Sequence, residues 1–326
     1  MTDSIHVGNL PPPWQFLVPI VQEAGAIAVG TCPAIEIPHD DFKRYESWVQ
    51  SPRSGELKYL RSHLAVRRNP GSARILKDAN VIVCVAFPWG QPGTLPPIWQ
   101  YIAEYARGRD YHKTVRARLM GISRKISSVY RDAEYRVFVD TAPIMERTLA
   151  IRAGIGAVGR NGMLLVPGVG AKVLLGEIVL AHVPDCQDAE PHSLFKPFAF
   201  CGGCHSCQKE CPTGALCADG IIDVPRCLSY ITIESHTDMP SGDILEQLKG
   251  IFGCDRCVSV CPQNRQAPTV LERPANEHIA LSLEEFASMA PEKLMEQLRG
   301  TCMFRTGAAQ LQKTAAQVLM NLKRNK

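Results

Sequence analysis

An α+β domain, a compact cysteine-rich module and a short helical C-terminus are the architecture this sequence predicts, on three observations. Nine of the 13 cysteines fall between residues 201 and 261. Upstream of them, β-branched and alternating runs (Asn80–Phe87, Tyr135–Val139) are interleaved with a long helical apolar pattern over Lys113–Arg131, which is the signature of a mixed domain. Downstream, Leu283–Met289, Pro291–Leu298 and Thr306–Leu322 have helical spacing. The implied boundaries are 1–190 for the α+β domain, 191–270 for the cysteine module and 271–326 for the helical segment.

The cysteine stretch opens Cys201-Gly-Gly-Cys204-His-Ser-Cys207-Gln-Lys-Glu-Cys211-Pro212. This is a C-x2-C-x2-C-x3-C-P run, in which the fourth cysteine ligates the other of two [4Fe–4S] clusters. The stretch closes Cys254-Asp-Arg-Cys257-Val-Ser-Val-Cys261-Pro262, the same device with its first cysteine displaced upstream to Cys227. Pseudo-twofold logic then gives one cluster Cys201, Cys204, Cys207 and Cys261, and the other Cys211, Cys227, Cys254 and Cys257. Short gaps let one tight loop deliver several thiolates, and Gly202, Gly203 and Gly214 let backbone approach the sulfides. Paired C-x2-C also suits structural zinc, but zinc ribbons use isolated pairs, without a following C-x3-C-P. Cys32, Cys84, Cys186, Cys217 and Cys302 are scattered and read as small buried hydrophobes.

With 326 residues the chain can hold a large domain and a small one. The composition is that of a globular protein, 45% hydrophobic and 21% charged. Net charge is +4 and the pI about 8.4, a mild excess that by itself names no partner. No apolar run is as long as a membrane span, and the N-terminus has neither a signal peptide nor a twin-arginine leader. A cytoplasmic protein with no membrane partner is the expectation, since cluster-binding thiols belong in a reducing compartment. The absence of heptads or another association element points to a monomer.

Taken in order, residues 1–12 read as a frayed, proline-ended leader. Trp14 to Ala24 has helical spacing, and Ala26–Val29 suits a first strand. Asp41–Leu64 is amphipathic and mostly helical, before a basic turn Arg67-Arg68-Asn69-Pro70. Asn80–Phe87 reads as a buried strand, and Pro88–Pro97 as loop. A helix-like segment from Trp99 carries Tyr101, Tyr105 and the group Arg107-Gly-Arg109-Asp110-Tyr111-His112. On Lys113–Arg131 one face is apolar. The remainder carries Lys113, Arg116, Arg118, Arg124, Lys125 and Arg131, either a solvated basic face or a phosphate-binding one.

Tyr135–Val139 ends at Asp140-Thr-Ala-Pro143. A carboxylate at the C-terminal end of a strand is where α/β folds place chemistry, and it is equally suited to capping the helix Met145–Arg152. Gly154-Ile-Gly156-Ala-Val-Gly159 matches G-x-G-x-x-G, but a helix precedes it and a strand follows, the reverse of a dinucleotide site. It reads as a glycine-rich turn, followed by a strand pair, Met163–Val166 and Lys172–Val179. Pro184–Phe198 and Pro268–Ile279 read as linkers, and Lys323-Arg324-Asn325-Lys326 as a basic tail.

Several words flank the cysteines: Phe138-Val-Asp140-Thr-Ala-Pro143, Glu146-Arg147, Arg152-Ala-Gly154-Ile-Gly156, Arg109-Asp110-Tyr111-His112 and Arg226-Cys227-Leu-Ser229 through Glu234. Together with the cluster spacing this set resembles epoxyqueuosine reductase, over roughly residues 45–265, with Phe304-Arg305 compatible. The resemblance implies a nitroreductase-like, cobalamin-binding N-terminal domain related to reductive dehalogenases, with the corrinoid held base-off near one cluster. It implies an oxidoreductase that makes queuosine from epoxyqueuosine at the wobble position of tRNA anticodons, fed by an external electron donor. Carried over by position, Asp140 becomes the proton donor, with a pKa that burial against the corrin must raise. Arg67, Ser229, Cys254 and Asp255 then lie with it in the cobalamin site. The basic helix and tail become candidate clamps for an RNA loop. Gln263 stands where many members have tryptophan, and Ala157-Val-Gly159-Arg160-Asn161-Gly162 departs from the commoner W-I-G-K-N-T. Another corrinoid reductase, a bare electron carrier and an RNA-binding module with structural clusters are the alternatives. The large upstream domain argues against the carrier, and the FVDTAP aspartate against a dehalogenase, a group that resembles a tyrosine-donor design.

Overall fold

The structure, a computed structural model, describes residues 5–89, 96–186, 198–235, 242–266 and 279–324. The linker and loop expectations for 90–95, 187–197 and 267–278, and the last two residues of the basic tail, lie outside the described residues.

A five-stranded mixed sheet forms the body of the N-terminal half, in the order β1-β2-β3-β7-β4. Its strands are β1 (His6–Val7), β2 (Ala28–Pro33), β3 (Ala79–Pro88), β4 (Glu134–Phe138) and β7 (Val173–Ala181). Only the β1–β2 pair is parallel. Period-two alternation sets what each face meets. Val81, Val83, Val85 and Phe87 of β3 pack with Ile178 and Leu180 of β7 against α1 (Leu17–Glu23) and α5 (Tyr111–Val129). Ile82, Cys84 and Ala86 pack with Val179 on the opposite face, where α4 (Leu64–Arg68) and α6 (Glu146–Arg152) lie. Because both faces are covered, β3 is a continuous apolar run, as its sequence indicates.

Local chemistry explains where the expected elements stop. The amphipathic stretch from Asp41 divides into α2 (His39–Gln50) and α3 (Lys58–Arg61). Pro52 and the left-handed Gly55 (φ 58°) lie between them. The segment from Trp99 is two 3-10 turns, Pro97–Tyr101 and Glu104–Ala106. The leader holds a strand, β1, too short at two residues to show any periodicity.

The expected strand pair after the glycine turn is corrected. Leu164–Leu165 (β6) pairs with Ala157–Val158 (β5) in a hairpin, and β7 leaves to sit between β3 and β4. Gly170 (φ 94°) sharpens the turn between β6 and β7, where Val166 and Gly170 form a single bridge.

The cysteine module holds α7 (Ser206–Glu210), α8 (Leu228–Ile233), α9 (Asp243–Glu246) and α10 (Arg256–Ser259). Its contacts with the sheet domain include two sets that frame the clusters' cysteines. From α2, the Trp48 indole N–H donates to Ile222 O at 3.1 Å and Arg44 to Asp219 O at 2.8 Å. At the β5–β6 hairpin, Trp89, Leu165, Ala171 and Val258 pack beside Cys201, Cys257 and Cys261. The last helices, α11 (Leu283–Ser288), α12 (Pro291–Gln297) and α13 (Ala308–Arg324), share a core with the 97–106 turns and with Leu228, Ile231, Ile251 and Phe252. No described helix is long and apolar enough to cross a membrane.

Candidate functional site

The eight cysteines of the two expected clusters fall into two neighbourhoods. Cys207 has Cys201, Cys204 and Cys261 as its charge neighbours, whereas Cys257 is surrounded chiefly by Cys254, Cys227 and Cys211. Among the described residues no three His, Cys, Asp or Glu side chains converge on a single-ion site; the thiols of each set are neighbours at wider spacing. Burial first, and then the crowd of neighbouring thiolates, pushes Cys257 up, so four thiolates can coexist there only with positive charge between them. Backbone N–H groups aim at the sulfurs: those of Ser229 and Tyr230 at Cys227, of Arg256 at Cys254, and of Gln263 at Cys261. Cys217 belongs to neither neighbourhood. Its N–H donates to Ile221 O, and its carbonyl accepts from the Gln208 amide.

Asp140 sits two residues beyond the end of β4, in the left-handed region at φ 58°. A non-glycine residue pays strain there, so other contacts must hold it. Its N–H donates to the Glu146 carboxylate at 2.5 Å. Its Oδ2 accepts from the Tyr111 hydroxyl at 2.6 Å and contacts His112 Nε2 at 3.2 Å. The capping alternative is not realised: the N-cap of α6 is Met145, with no side-chain bond. Asp110 is instead the cap, at the start of α5, accepting from the N–H of His112 at 3.1 Å. Asp110 Oδ1 also lies 2.7 Å from His112 Nδ1, and Arg305 reaches His112 Nε2 at 2.9 Å.

The imidazole therefore lies between two carboxylates. Burial pulls its pKa down, but the hydrogen bonds to Asp110 and Asp140 outweigh that, and the net shift is upward. The expected rise of Asp140 depends on burial against a corrin; the protein's own groups pull the other way. Burial does act upward, but the hydrogen bonds from His112 and Tyr111, followed by the charges of His112 and Arg305, hold the carboxyl below its usual range. The Asp140 side chain is 57% exposed, so solvent supports the same state. With His112 shifted up and Asp140 down, a proton shared by the two favours the imidazole and leaves Asp140 a carboxylate.

Besides Tyr111, two further tyrosines have Asp140 as an electrostatic neighbour. Tyr59, 51% exposed, has its hydroxyl pushed up to about 12 by burial, with Glu234 and Asp140 adding to the rise. Tyr105, raised mainly by burial, has Asp255, Asp140 and Glu234 among its neighbours, and packs edge-on against Tyr111 with ring centroids 5.9 Å apart. Gly253, beside Cys254, turns at φ 74° where a Cβ would come within 2.6 Å of Ala103 and 3.4 Å of the Tyr105 ring. Tyr105 thus stands between Tyr111, which holds Asp140, and Gly253, which precedes Cys254 of the second thiol set.

Two family models match the chain: epoxyqueuosine reductase QueG, DUF1730, over residues 67–141, and a 4Fe-4S double cluster binding domain over residues 200–264. The epoxyqueuosine reductase of Aliivibrio fischeri is 31% identical over 299 residues, covering 89% of this chain and 77% of that one. The Escherichia coli one is 31% identical over 275 residues, covering 81% and 70%. This chain belongs to the epoxyqueuosine reductase family. The structure of the Streptococcus thermophilus epoxyqueuosine reductase superposes with a TM-score of 0.79 at 25% identity, over 94% of this chain and 80% of that chain. Another such structure, with an epoxyqueuosine-modified tRNA stem loop, superposes with a TM-score of 0.78 at 24% identity, over 95% and 81%. As a member of this family the chain is an oxidoreductase with a mixed α/β domain and an iron–sulfur module.

Within this epoxyqueuosine reductase fold, the other expected site residues differ in what they are free to do. Arg67 is buried, its guanidinium donating to Ser62 O at 3.3 Å and Tyr59 O at 3.1 Å; it fixes the Tyr59 backbone. Asp255, raised by burial, accepts the N–H of Glu104 at 2.6 Å. Ser229 lies in the first turn of α8, directly after Cys227.

For several residues the identity was legible in the sequence but the contact was not. The glycine-rich turn leads into Arg160, whose N–H points at Cys201 Sγ (3.4 Å), and Asn161, whose amide donates to Cys257 O (3.2 Å). Its departure from the commoner family word therefore falls on a contact with the clusters. Gln263 donates to Phe200 O at 3.0 Å, and Asn264 accepts the N–H of Ala171 at 2.7 Å. Of the basic face on α5, Arg116 donates to Val137 O, Lys125 pairs with Glu23, and half-buried Arg118 lies over the Phe87 ring.

Proposed function

We propose that this chain reduces epoxyqueuosine in a tRNA anticodon loop to queuosine, using Asp140 and His112 as its proton-handling pair. One observation carries the reading: a half-exposed carboxylate on a strained residue is hydrogen-bonded to a histidine and to Tyr111, which packs on Tyr105 beside the turn that leads into Cys254. Two relatives named for this reaction and a neighbour bound to a modified stem loop support it.

Removing an epoxide oxygen to leave an alkene takes two electrons and two protons and releases water. Clusters that each carry one electron suit that demand. The residues present suit a corrinoid: Tyr59 leaves half its surface uncovered, aromatic area that a large flat ring would cover. Tyr59, positioned by Arg67, with Ser229, Cys254 and Asp255, would hold it. A bound cobalamin would supply a strongly reducing centre able to open the epoxide.

The rest is the protein's own chemistry. As the C–O bond breaks, negative charge grows on the leaving oxygen. His112, protonated between Asp110 and Asp140, is the proton store, and Asp140 Oδ2 is the atom through which the proton leaves. Tyr111 fixes that oxygen, and Asp110 then stabilises the imidazole for reloading. Arg124 and Lys113, on the outer face of α5, remain the candidate backbone contacts for RNA.

The test is turnover of epoxyqueuosine-containing tRNA by protein loaded anaerobically with clusters and cobalamin, read as queuosine by nucleoside mass spectrometry. One queuosine per two electrons is expected. No queuosine from fully loaded protein overturns the reading.

A further inference from the structure

Glu177 is a glutamate in the middle of a sheet. On β7 it lies in register between Cys84 of β3 and Phe138 of β4, with no solvent exposure. Neither carboxyl oxygen has a donor. It points to the same face as Val179, toward α6. There its carboxyl meets that of Glu146, the first residue of α6. Two carboxylates in contact, away from water and without a donor, repel one another. The contact becomes a hydrogen bond only when a proton sits between them.

Glu146 has a second task. It accepts the Asp140 N–H at 2.5 Å and so holds the left-handed residue that carries the reactive carboxylate.

We propose that Glu146 and Glu177 form a proton-sharing carboxyl pair that locks the Asp140 backbone, making both positioning residues for proton delivery. The proposal rests on the reading of Asp140 given above. The charged and titratable groups around the pair agree with it. Cys32 of β2, Cys84 of β3 and Asp140 face Glu177, while Asp140 and Arg147 face Glu146, and Arg152 lies near Cys84. Burial, followed by the Glu146 charge, drives Glu177 well up. Burial and Asp140 push Glu146 up to about 7, although the bond from Glu177 restrains it. Glu177 is therefore the acid of the pair and Glu146 the acceptor, able to take both the Glu177 proton and the Asp140 N–H. Without the shared proton, Glu146 would turn to solvent and release Asp140.

Infrared spectra of the resting, cofactor-loaded protein test the pair without turnover. A protonated-carboxyl C=O band that persists above neutral pH and vanishes in Glu177→Gln is expected. No such band in the wild type overturns the pair, whatever becomes of Asp140. Kinetics test the positioning role. Glu177→Leu keeps the volume but has no proton to share, so kcat should fall between about tenfold and a hundredfold, with KM for tRNA and cofactor content unchanged. Glu177→Gln, whose amide N–H replaces the proton, should restore turnover. A Glu177→Leu protein with wild-type kcat, or a Glu177→Gln protein as impaired as Glu177→Leu, refutes it. Asp140→Asn separates this from the parent reading: full turnover in that variant removes Asp140's role and leaves the infrared result standing by itself.

Discussion

Replacing Cys227 by alanine should remove iron, and replacing Cys217 should not. Both cysteines lie between the two spaced runs, and sequence position alone does not choose between them. Cys227 precedes α8, receives the N–H groups of Ser229 and Tyr230, and has Cys211 as a charge neighbour. Burial raises this thiol, while the converging backbone N–H dipoles offset part of that rise, the balance of a thiolate that needs a cluster's positive charge. Cys217 is held in a turn by Ile221 and Gln208, with its thiol in range of Arg53. Losing one sulfur from a part-buried side chain costs about 1 kcal/mol in packing, too little to unfold a domain of this size. Missing iron would thus report lost ligation. The intact chain should carry about eight iron atoms in two cubanes. Cys227→Ala should hold about seven if the second cluster survives as a three-iron species, or about four if it is lost. Iron and sulfide assays with EPR of the reduced protein decide it. Two intact cubane signals in Cys227→Ala, or loss of iron in Cys217→Ala, would refute the assignment.

The histidine between Asp110 and Asp140 makes stability depend on pH in a defined direction. Its folded pKa lies above the ordinary 6.5, so it contributes stability that is complete below that value and lost as pH rises through the folded one. His112→Gln should flatten that fall in denaturant titrations run across neutral pH. Arg124→Glu on α5 should weaken tRNA binding and lower the salt slope by about one; unchanged affinity and slope would return that helix to a solvated face. Gly170→Ala puts a Cβ 2.3 Å from the Asn264 side chain and 2.7 Å from the Gln263 backbone, at φ 94°. The variant should lose about 2–3 kcal/mol of stability at the hinge between hairpin and cluster module, measured as an earlier thermal transition.

What the sequence disclosed divides along physical lines. The strand Asn80–Phe87, the helix Lys113–Arg131 and the cysteine spacing were legible because each is a local pattern with a local cause. β3 and α5 emerge within two residues of expectation. Pairing was not legible: β6 looked like the partner of β7 because only a glycine turn separates them, yet sheet order depends on contacts distant in sequence. Asp140 stood out through its family word, but its charge state did not. That state depends on His112, Tyr111 and Arg305, which come from α5 and from the 3-10 turn before α13. Glu146 was quoted only as part of a word, and Glu177 drew no attention, since one glutamate in an apolar strand gives no sign of which carboxyl it will face. The G-x-G-x-x-G turn follows α6 and runs into the β5–β6 hairpin, the element order its sequence indicated. Its actual contacts, Arg160 and Asn161 on the cluster module, needed the fold.

The most direct test is single turnover of epoxyqueuosine-modified tRNA by the wild type and Asp140→Asn, both loaded with clusters and cobalamin and reduced in advance. Asparagine keeps the shape and the Tyr111 contact but cannot pass a proton from His112. The account predicts queuosine in the first protein and a loss of rate of about a hundredfold or more in the second, with tRNA affinity and cofactor spectra unchanged. Equal rates in the two proteins would contradict it.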